Sequence, residues 1–215
     1  IEVSYVHGKR HVPQPVLAPA GVPSAAAPRR GGAWVVSGGA RGVTAVVARE
    51  LGRRFGLKLH LLGTTPAPQV DPAWRDLSDD ETKQLKRKIM TEARERGDAP
   101  LEAWRNVERA IEVDQTLQAY ADAGVETTYH AVSVTDRAAL AAVLEQIRAQ
   151  SGPIEGVIHG AGVEAASRFD RKKRDQVEAT MAVKVDGGAA LMELTRKDPL
   201  RYFIGFGSVS GRFGG

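Results

Sequence analysis

The chain has 215 residues, a formal net charge of +4 and no cysteine. This length is sufficient for one α/β domain with a substantial core. The lack of cysteine excludes disulfides, thiolate catalysis and cysteine-based zinc sites, and no His pair or carboxylate cluster in the sequence suggests another metal. No basic block is interleaved with aromatic residues, and no apolar run approaches the ~18 residues of a membrane span. We therefore expect a cytoplasmic protein with no nucleic-acid or membrane partner, whose slight basicity suits a phosphorylated ligand or an acidic partner.

The N-terminal region is predicted to lie outside the main folded domain. Residues 1–12 alternate weakly and would form a strand pair around His7-Gly8. Residues 13–32 are rich in Pro, Gly, Ala and Ser, which is typical of a linker. The chain begins without Met, so we expect a piece of a longer protein. We assign residues 1–32 to an extension and residues 33–215 to the folded domain.

The first part of that domain alternates between strand and helix. The apolar run at residues 33–36 predicts a buried strand over 33–37, and residues 57–62 predict a second one. Between them an apolar residue recurs every four positions, which predicts a helix ended by Gly56. The predicted apolar face of this helix comprises Val43, Val47, Leu51 and Phe55.

Residues 66–122 interrupt this rhythm with two predicted helices in series. Ser78 and Glu81 form a capping-box pattern that opens a charged helix, whose thin apolar stripe contains Leu85 and Ile89. A second helix follows Pro100, with apolar residues on roughly one side: Trp104, Val107, Ile111, Leu117 and Tyr120. Such charge-rich helices are usually a solvated decoration. The alternative is a docking or dimer surface that Trp104 and Tyr120 would test.

The alternation then resumes to the end of the chain. We predict strands at 125–132, 154–159 and 201–207, a helix around 140–147 capped near Thr135-Asp136, and a helix over 175–195. Strands separated by helices indicate a parallel sheet. The predicted fold is therefore α/β, a Rossmann-like doubly wound parallel sheet with a two-helix insertion between its second and third strands.

Small and polar residues follow each predicted strand. In a parallel sheet these loops share one edge, where ligands bind. The first loop, residues 37–44, is glycine-rich and opens a helix, an arrangement whose backbone N–H groups and helix dipole suit a phosphate. Thr44 replaces the last glycine of the usual spacing. A dinucleotide is the first ligand to consider.

Four segments in this order resemble the short-chain dehydrogenase/reductase superfamily, and within it the ketoreductase domains of polyketide and polyunsaturated-fatty-acid synthases. They are Ser-Gly-Gly-Ala-Arg-Gly-Val-Thr at 37–44, Val-Ile-His-Gly-Ala-Gly-Val at 157–163, Lys-Val-Asp-Gly at 184–187 and Phe-Gly-Ser-Val-Ser-Gly at 206–211. The insertion is similar to that of iterative synthase ketoreductases, and residues 1–12 resemble the tail of the structural subdomain that precedes them.

The resemblance implies reduction of a β-ketoacyl thioester, tethered to an acyl carrier protein, to the β-hydroxyacyl product within a multidomain synthase. Other synthase domains would be partners, and a homodimer would form through the parent synthase. The implied cofactor is NADPH. It is favoured over NADH because the second strand ends in Gly63-Thr64-Thr65 without a carboxylate, while Arg41 projects from the loop toward a 2′-phosphate.

The resemblance also assigns site residues. Ser208 would hydrogen-bond the substrate carbonyl, and Lys184 would orient the cofactor ribose and lower the pKa of a neighbouring phenol. His159 looks like a candidate base but occupies a position in the cofactor wall. The residues assigned to the cofactor are Gly38, Gly39, Arg41, Gly42, Val43, Thr64, Ser133, Val134, His159, Gly160, Ala161 and Gly162.

Related ketoreductases place a tyrosine about a dozen residues after the serine, and this chain stops at Gly215. We therefore expect the chain, truncated before that tyrosine, to be inactive alone. Three alternatives stay open: a non-catalytic structural remnant of a ketoreductase, a different short-chain reductase that uses a Tyr-x-x-x-Lys motif, and a regulator that binds the cofactor without turnover.

Overall fold

The computed structural model describes residues 3–12, 14, 16, 27–66, 70–163 and 168–208. The chain divides into two units, which are described separately: Pro28–Gly205, and Ile1–Ala27 together with Phe206–Gly215. In the latter, strands β1 (Ser4–Val6) and β2 (Lys9–His11) pair antiparallel across a turn in which His7 and Gly8 have positive φ. This is the strand pair predicted around His7-Gly8. Most of the predicted linker, residues 13–32, lies outside the described residues.

The larger unit contains a five-stranded sheet. Its strands are β3 (Ala33–Ser37), β4 (Lys58–Gly63), β5 (Thr127–Ala131), β6 (Ile154–His159) and β7 (Tyr202–Gly205). They lie in the order β5-β4-β3-β6-β7, and every neighbouring pair is parallel. The chain order therefore reverses between β3 and β6, the place where a doubly wound sheet opens its binding crevice. The predicted fold class is confirmed.

The larger unit also contains α-helices. They are α1 (Gly42–Phe55), α2 (Asp79–Arg96), α3 (Pro100–Asp122), α4 (Arg137–Ser151), α5 (Arg174–Met181) and α6 (Gly187–Leu194). A short 3-10 turn, Pro72–Trp74, precedes α2, and a second one, Phe169–Arg171, precedes α5. A π-helical turn, Ala182–Asp186, joins α5 to α6, where the sequence predicts one unbroken helix. Among the described residues, no helix is both long and apolar enough to cross a membrane.

Local signals located the helix ends correctly. Gly56 ends α1 in the left-handed conformation, which glycine adopts without steric cost. Ser78 and Glu81 form the predicted capping box of α2 through reciprocal bonds, and Asp136 caps α4 by accepting a bond from the Ala139 amide. These caps satisfy N–H and C=O groups that a helix end leaves without partners.

The apolar face predicted for α1 is wrong. Val43 is exposed, and Val47, Leu51 and Phe55 are only half-buried. The buried residues are instead Thr44, Ala45, Ala48 and Gly52. A Cβ at Gly52 would lie 2.5 Å from Val125 Cγ1 and 3.0 Å from Leu59 Cδ1. The helix thus lies so close to the sheet that only small side chains fit between them.

The insertion comprises α2 and α3, between the second and third strands of the sheet as predicted. The two residues named for a docking or dimer surface are both buried, since Trp104 is 4 % and Tyr120 0 % exposed. Trp104 packs beneath the Lys86 ammonium, 5.6 Å from the ring centre. The Tyr120 hydroxyl reaches the backbone of the glycine-rich loop. Neither side chain is therefore available at the surface for a docking or dimer contact.

Two buried histidines form a hydrogen-bonded chain beneath the sheet edge. His60 Nδ1 lies 3.1 Å from His130 Nε2, and His60 Nε2 lies 2.9 Å from the Ser151 hydroxyl. Burial, and secondarily the nearby His130, lowers the pKa of His60 to about 4, and burial also lowers the pKa of His130. Both rings are therefore neutral in the folded protein at pH 7.

Acidification is expected to destabilise the fold through this chain. In the unfolded state His60 takes up a proton near its ordinary pKa of ~6.5. In the folded state it takes up that proton only near pH 4. Stability should thus fall as the pH is lowered between these two values, by about 3 kcal/mol. Urea unfolding at several pH values measures it. His60→Gln should flatten the dependence, while His7→Gln, at an exposed turn in the other unit, should not. An unchanged slope in His60→Gln would refute the assignment.

Candidate active site

An open crevice of about 720 Å³ lies at the carboxyl ends of the strands of the larger unit. A volume of this size is typical of small-molecule sites. Ten of the twelve residues predicted to bind a cofactor line it. They are Gly38, Arg41, Gly42, Val43, Thr64, Ser133, Val134, Gly160, Ala161 and Gly162. The crevice therefore brings together loops that follow four different strands, as a shared edge of a parallel sheet requires.

The loop after β3 approaches the loop after β6 very closely. A Cβ at Gly38, which has a φ of +71°, would lie 2.8 Å from the Ala161 amide nitrogen and 2.9 Å from its Cα. A Cβ at Gly160 would overlap the buried Thr44 side chain. Glycine is thus required on both sides of the point where the strand order reverses. The first turn of α1, which begins at Gly42, presents its N–H groups at this crevice, a suitable site for phosphate.

A hydrogen-bond chain connects these loops to the π-helical turn. The Ala161 amide donates to Ser37 Oγ over 3.3 Å, and Ser37 Oγ lies 2.7 Å from His159 Nδ1. His159 Nε2 lies 3.0 Å from the Lys184 carbonyl oxygen. Because a carbonyl only accepts, Nε2 carries the proton and Nδ1 accepts from the Ser37 hydroxyl. Burial lowers the pKa of His159, so the ring stays neutral.

The π-helical turn accommodates this contact and places Lys184. Gly187 and Gly188 follow it, where a Cβ would lie 2.6 Å from Val134 Cγ2 and 3.2 Å from His159 Cδ2, respectively. π-helical turns inside helices often occur at functional sites. The Lys184 ammonium lies near Gly162, since a Cβ there would be 3.6 Å from Nζ. Burial lowers the pKa of this half-buried lysine.

Two residues assigned to the cofactor lie behind the loops rather than in the crevice wall. Gly39 faces the core, where its Cβ would lie 2.6 Å from Val36 Cγ1, and His159 is buried in the chain of bonds just described. Both hold loops in place. Ser208 follows β7 in the sequence and belongs to the other unit, so its assignment rests on the motif alone. The rest of that motif, residues 209–211, lies outside the described residues.

The far end of the crevice, at β4 and β5, carries charge. Arg41 lies 3.9 Å from Glu112 of α3, and both side chains are about half exposed.

Hydrogen bonds between neutral groups fix the loops after β4 and β5. Ser133 bonds to the Thr135 hydroxyl at 2.7 Å. The Tyr129 hydroxyl donates to the Thr65 carbonyl over 2.7 Å and fixes the loop after β4.

Sequence reasoning missed one side of the crevice, which is lined by Arg109, Glu112, Val113 and Tyr129. Three of these residues belong to the insertion, which the periodicity predicts as a helix without indicating what it covers. Tyr129 lies in the strand predicted at 125–132. The alternation of side chains along that strand is the signal that could have placed Tyr129 at the crevice. Within the described part of the chain, no group of three or more His, Asp or Glu side chains is arranged to hold a metal ion.

Strand order, crevice and glycine-rich loop together define a Rossmann-like doubly wound fold whose crevice could hold a dinucleotide. The family model of the KR domain matches residues 32–215, and the chain belongs to that ketoreductase family.

Comparison with known proteins agrees with this assignment. The chain is 30 % identical over 196 residues to a polyunsaturated fatty acid synthase polypeptide of Thraustochytrium sp. (strain ATCC 26185 / S-3), covering 84 % of this chain and 7 % of that protein. A ketoreductase domain from the bacillaene assembly line has 25 % identity and a TM-score of 0.64, covering 99 % of this chain and 41 % of that one. A short chain dehydrogenase from Mycobacterium paratuberculosis bound to NAD shares the fold, with 15 % identity, a TM-score of 0.53 and coverage of 79 % and 51 %.

Proposed function

We propose that this ketoreductase domain uses NADPH to reduce a β-ketoacyl thioester, carried on an acyl carrier protein, to the β-hydroxyacyl thioester within a multidomain, cytoplasmic synthase. The carrier protein and the other synthase domains are its partners, and the parent synthase provides any dimer contact. We assign residues 33–215 to the reductase and residues 1–32 to the extension that precedes it. The observation that carries the proposal is the position of the Lys184 ammonium beside Gly162, which lines the same crevice as the glycine-rich loop.

The residues of the crevice suit a dinucleotide. Gly38 and Gly160 allow the loops after β3 and β6 to pack closely against each other and against Thr44, and the N-terminus of α1 would hold the pyrophosphate. Val132 and Val134, with Ser133 between them, would flank the adenine. Arg41 would bind the 2′-phosphate, because the end of β4 offers Gly63 and Thr64 rather than the carboxylate that NAD-dependent enzymes use. The bound cofactor supplies hydride transfer to the β-carbon.

The side chains of this protein supply charge and position. The Lys184 ammonium would hydrogen-bond the cofactor ribose and stabilise negative charge that develops on the substrate oxygen, because a half-buried cation interacts strongly in such a crevice. His159 holds the Lys184 backbone and thereby orients this turn. Ser208 would donate a hydrogen bond to the ketone, and the oxyanion would finally take a proton from a phenol, which the resemblance places after Ser208.

The test follows NADPH absorbance in the natural polypeptide that contains this sequence. A β-ketoacyl thioester should cause oxidation of NADPH and formation of the β-hydroxyacyl thioester, detected by mass spectrometry. NADH should serve less well. Binding of NADPH without ketone-dependent oxidation would instead indicate a regulator, and failure to bind either nucleotide would indicate a structural remnant.

A further inference from the structure

The insertion is anchored directly to the glycine-rich loop. The Tyr120 hydroxyl of α3 lies 2.9 Å from the Gly39 carbonyl oxygen and 3.1 Å from that of Ala45. Tyr120 is fully buried, and burial raises the pKa of its hydroxyl, so it stays a hydrogen-bond donor. This contact fixes α3 against the loop between β3 and α1. The insertion is therefore not a helix pair that only faces solvent.

In the turns of α3 that precede Tyr120, three side chains face the crevice. Arg109, Glu112 and Val113 all line it together with Arg41 and Thr64. Val113 is buried and holds this face of the helix in place, whereas Arg109 is exposed to the crevice opening. Glu112 lies 3.9 Å from Arg41. The helix therefore forms a wall at the β4 side of the crevice, opposite the loop near Lys184.

We infer that α3 forms the adenosine side of the cofactor site, and that Arg109 binds the 2′-phosphate together with Arg41. This inference rests on the proposed NADPH function. In a doubly wound fold the adenosine ribose meets the end of the second strand, here β4. Two guanidinium groups and one carboxylate at that end leave a net positive charge, which favours a phosphate dianion over a ribose hydroxyl. Glu112 orients Arg41 and partly offsets its charge.

The experiment measures binding of adenosine 2′,5′-bisphosphate and adenosine 5′-monophosphate to the full chain by calorimetry. The two probes differ only in the 2′-phosphate. Arg109→Ala should weaken binding of the bisphosphate by about tenfold, as expected for loss of a charge-assisted hydrogen bond, and leave the monophosphate unchanged. Glu112→Gln should act in the opposite direction and strengthen bisphosphate binding.

Arg105→Ala is the matched control, because Arg105 is an exposed arginine one turn earlier on α3 and does not line the crevice. It should change neither affinity, which separates a local contact from a general loss of positive charge. If the wild-type chain prefers the bisphosphate and Arg109→Ala retains that preference, the inference fails and the proposed function stands. If the wild-type chain binds neither NADPH nor the bisphosphate, the proposed function itself fails.

Discussion

Replacing Lys184 by alanine is expected to reduce turnover of the β-ketoacyl thioester by about 10²- to 10³-fold, the usual effect of removing one group that stabilises developing charge. The ammonium lies beside Gly162 at the crevice, and burial already lowers its pKa. The fold should survive, because the backbone carbonyl of residue 184, and not its side chain, accepts the bond from His159. Ser208→Ala should cause a comparable loss, because the ketone would lose its hydrogen-bond donor.

The measurement compares kcat and NADPH affinity in the natural polypeptide that contains this sequence. In Lys184→Ala the loss should fall mainly on kcat, and Lys184→Arg should restore part of it by keeping the charge. Lys172→Ala is the control, since Lys172 is exposed and precedes α5. Wild-type turnover in both Lys184→Ala and Ser208→Ala would reject the assignment of the site.

The sequence predicts most of the fold because its local signals are strong. The buried strand Ala33–Ser37 begins with four apolar residues in succession. Gly56 ends a helix and Ser78 begins one through bonds made within a few residues. The order of strands and helices then restricts the topology, since parallel strands need crossover connections. The crevice follows from that topology, and for this reason ten predicted residues line it together.

The errors have one common cause, which is packing at close range. The valine and leucine spacing of α1 indicates a conventional apolar face, but the position of Gly52 against Leu59 brings the helix too close for large residues. Likewise, no local pattern reveals that the Tyr120 hydroxyl reaches Gly39, 81 residues earlier in the chain. Periodicity predicts whether a segment is a helix or a strand. It does not predict how closely that element packs against the sheet or which distant residues it contacts.

The π-helical turn illustrates the same limit at the site itself. Residues 175–195 have a continuous helical pattern, yet the helix widens at Ala182–Asp186. Inside this turn the Lys184 carbonyl is bonded to His159, which lies at the end of β6 in a different element. The motif around Lys184 indicates its role by resemblance, while the mechanism that positions it depends on the contact with His159.

Substituting Gly38 by alanine is expected to abolish cofactor binding and to destabilise the larger unit. Two costs add at this position: the left-handed conformation, at about 1–2 kcal/mol for a residue with a Cβ, and overlap with the Ala161 backbone, at about 1–3 kcal/mol. Because a backbone cannot rotate away as a side chain does, the loops after β3 and β6 must separate. That separation moves the N–H groups that would hold the pyrophosphate.

Gly97→Ala is the matched control for this substitution. Gly97 has a φ of +81°, but a Cβ there would meet nothing within 4 Å, and it ends α2 away from the crevice. Gly97→Ala should be destabilised only by the cost of the left-handed conformation, and it should bind NADPH as the wild-type chain does. Urea unfolding measures both stabilities and calorimetry measures both affinities. A Gly38→Ala chain that binds NADPH as tightly as Gly97→Ala would show that the close approach of these two loops is not what forms the site.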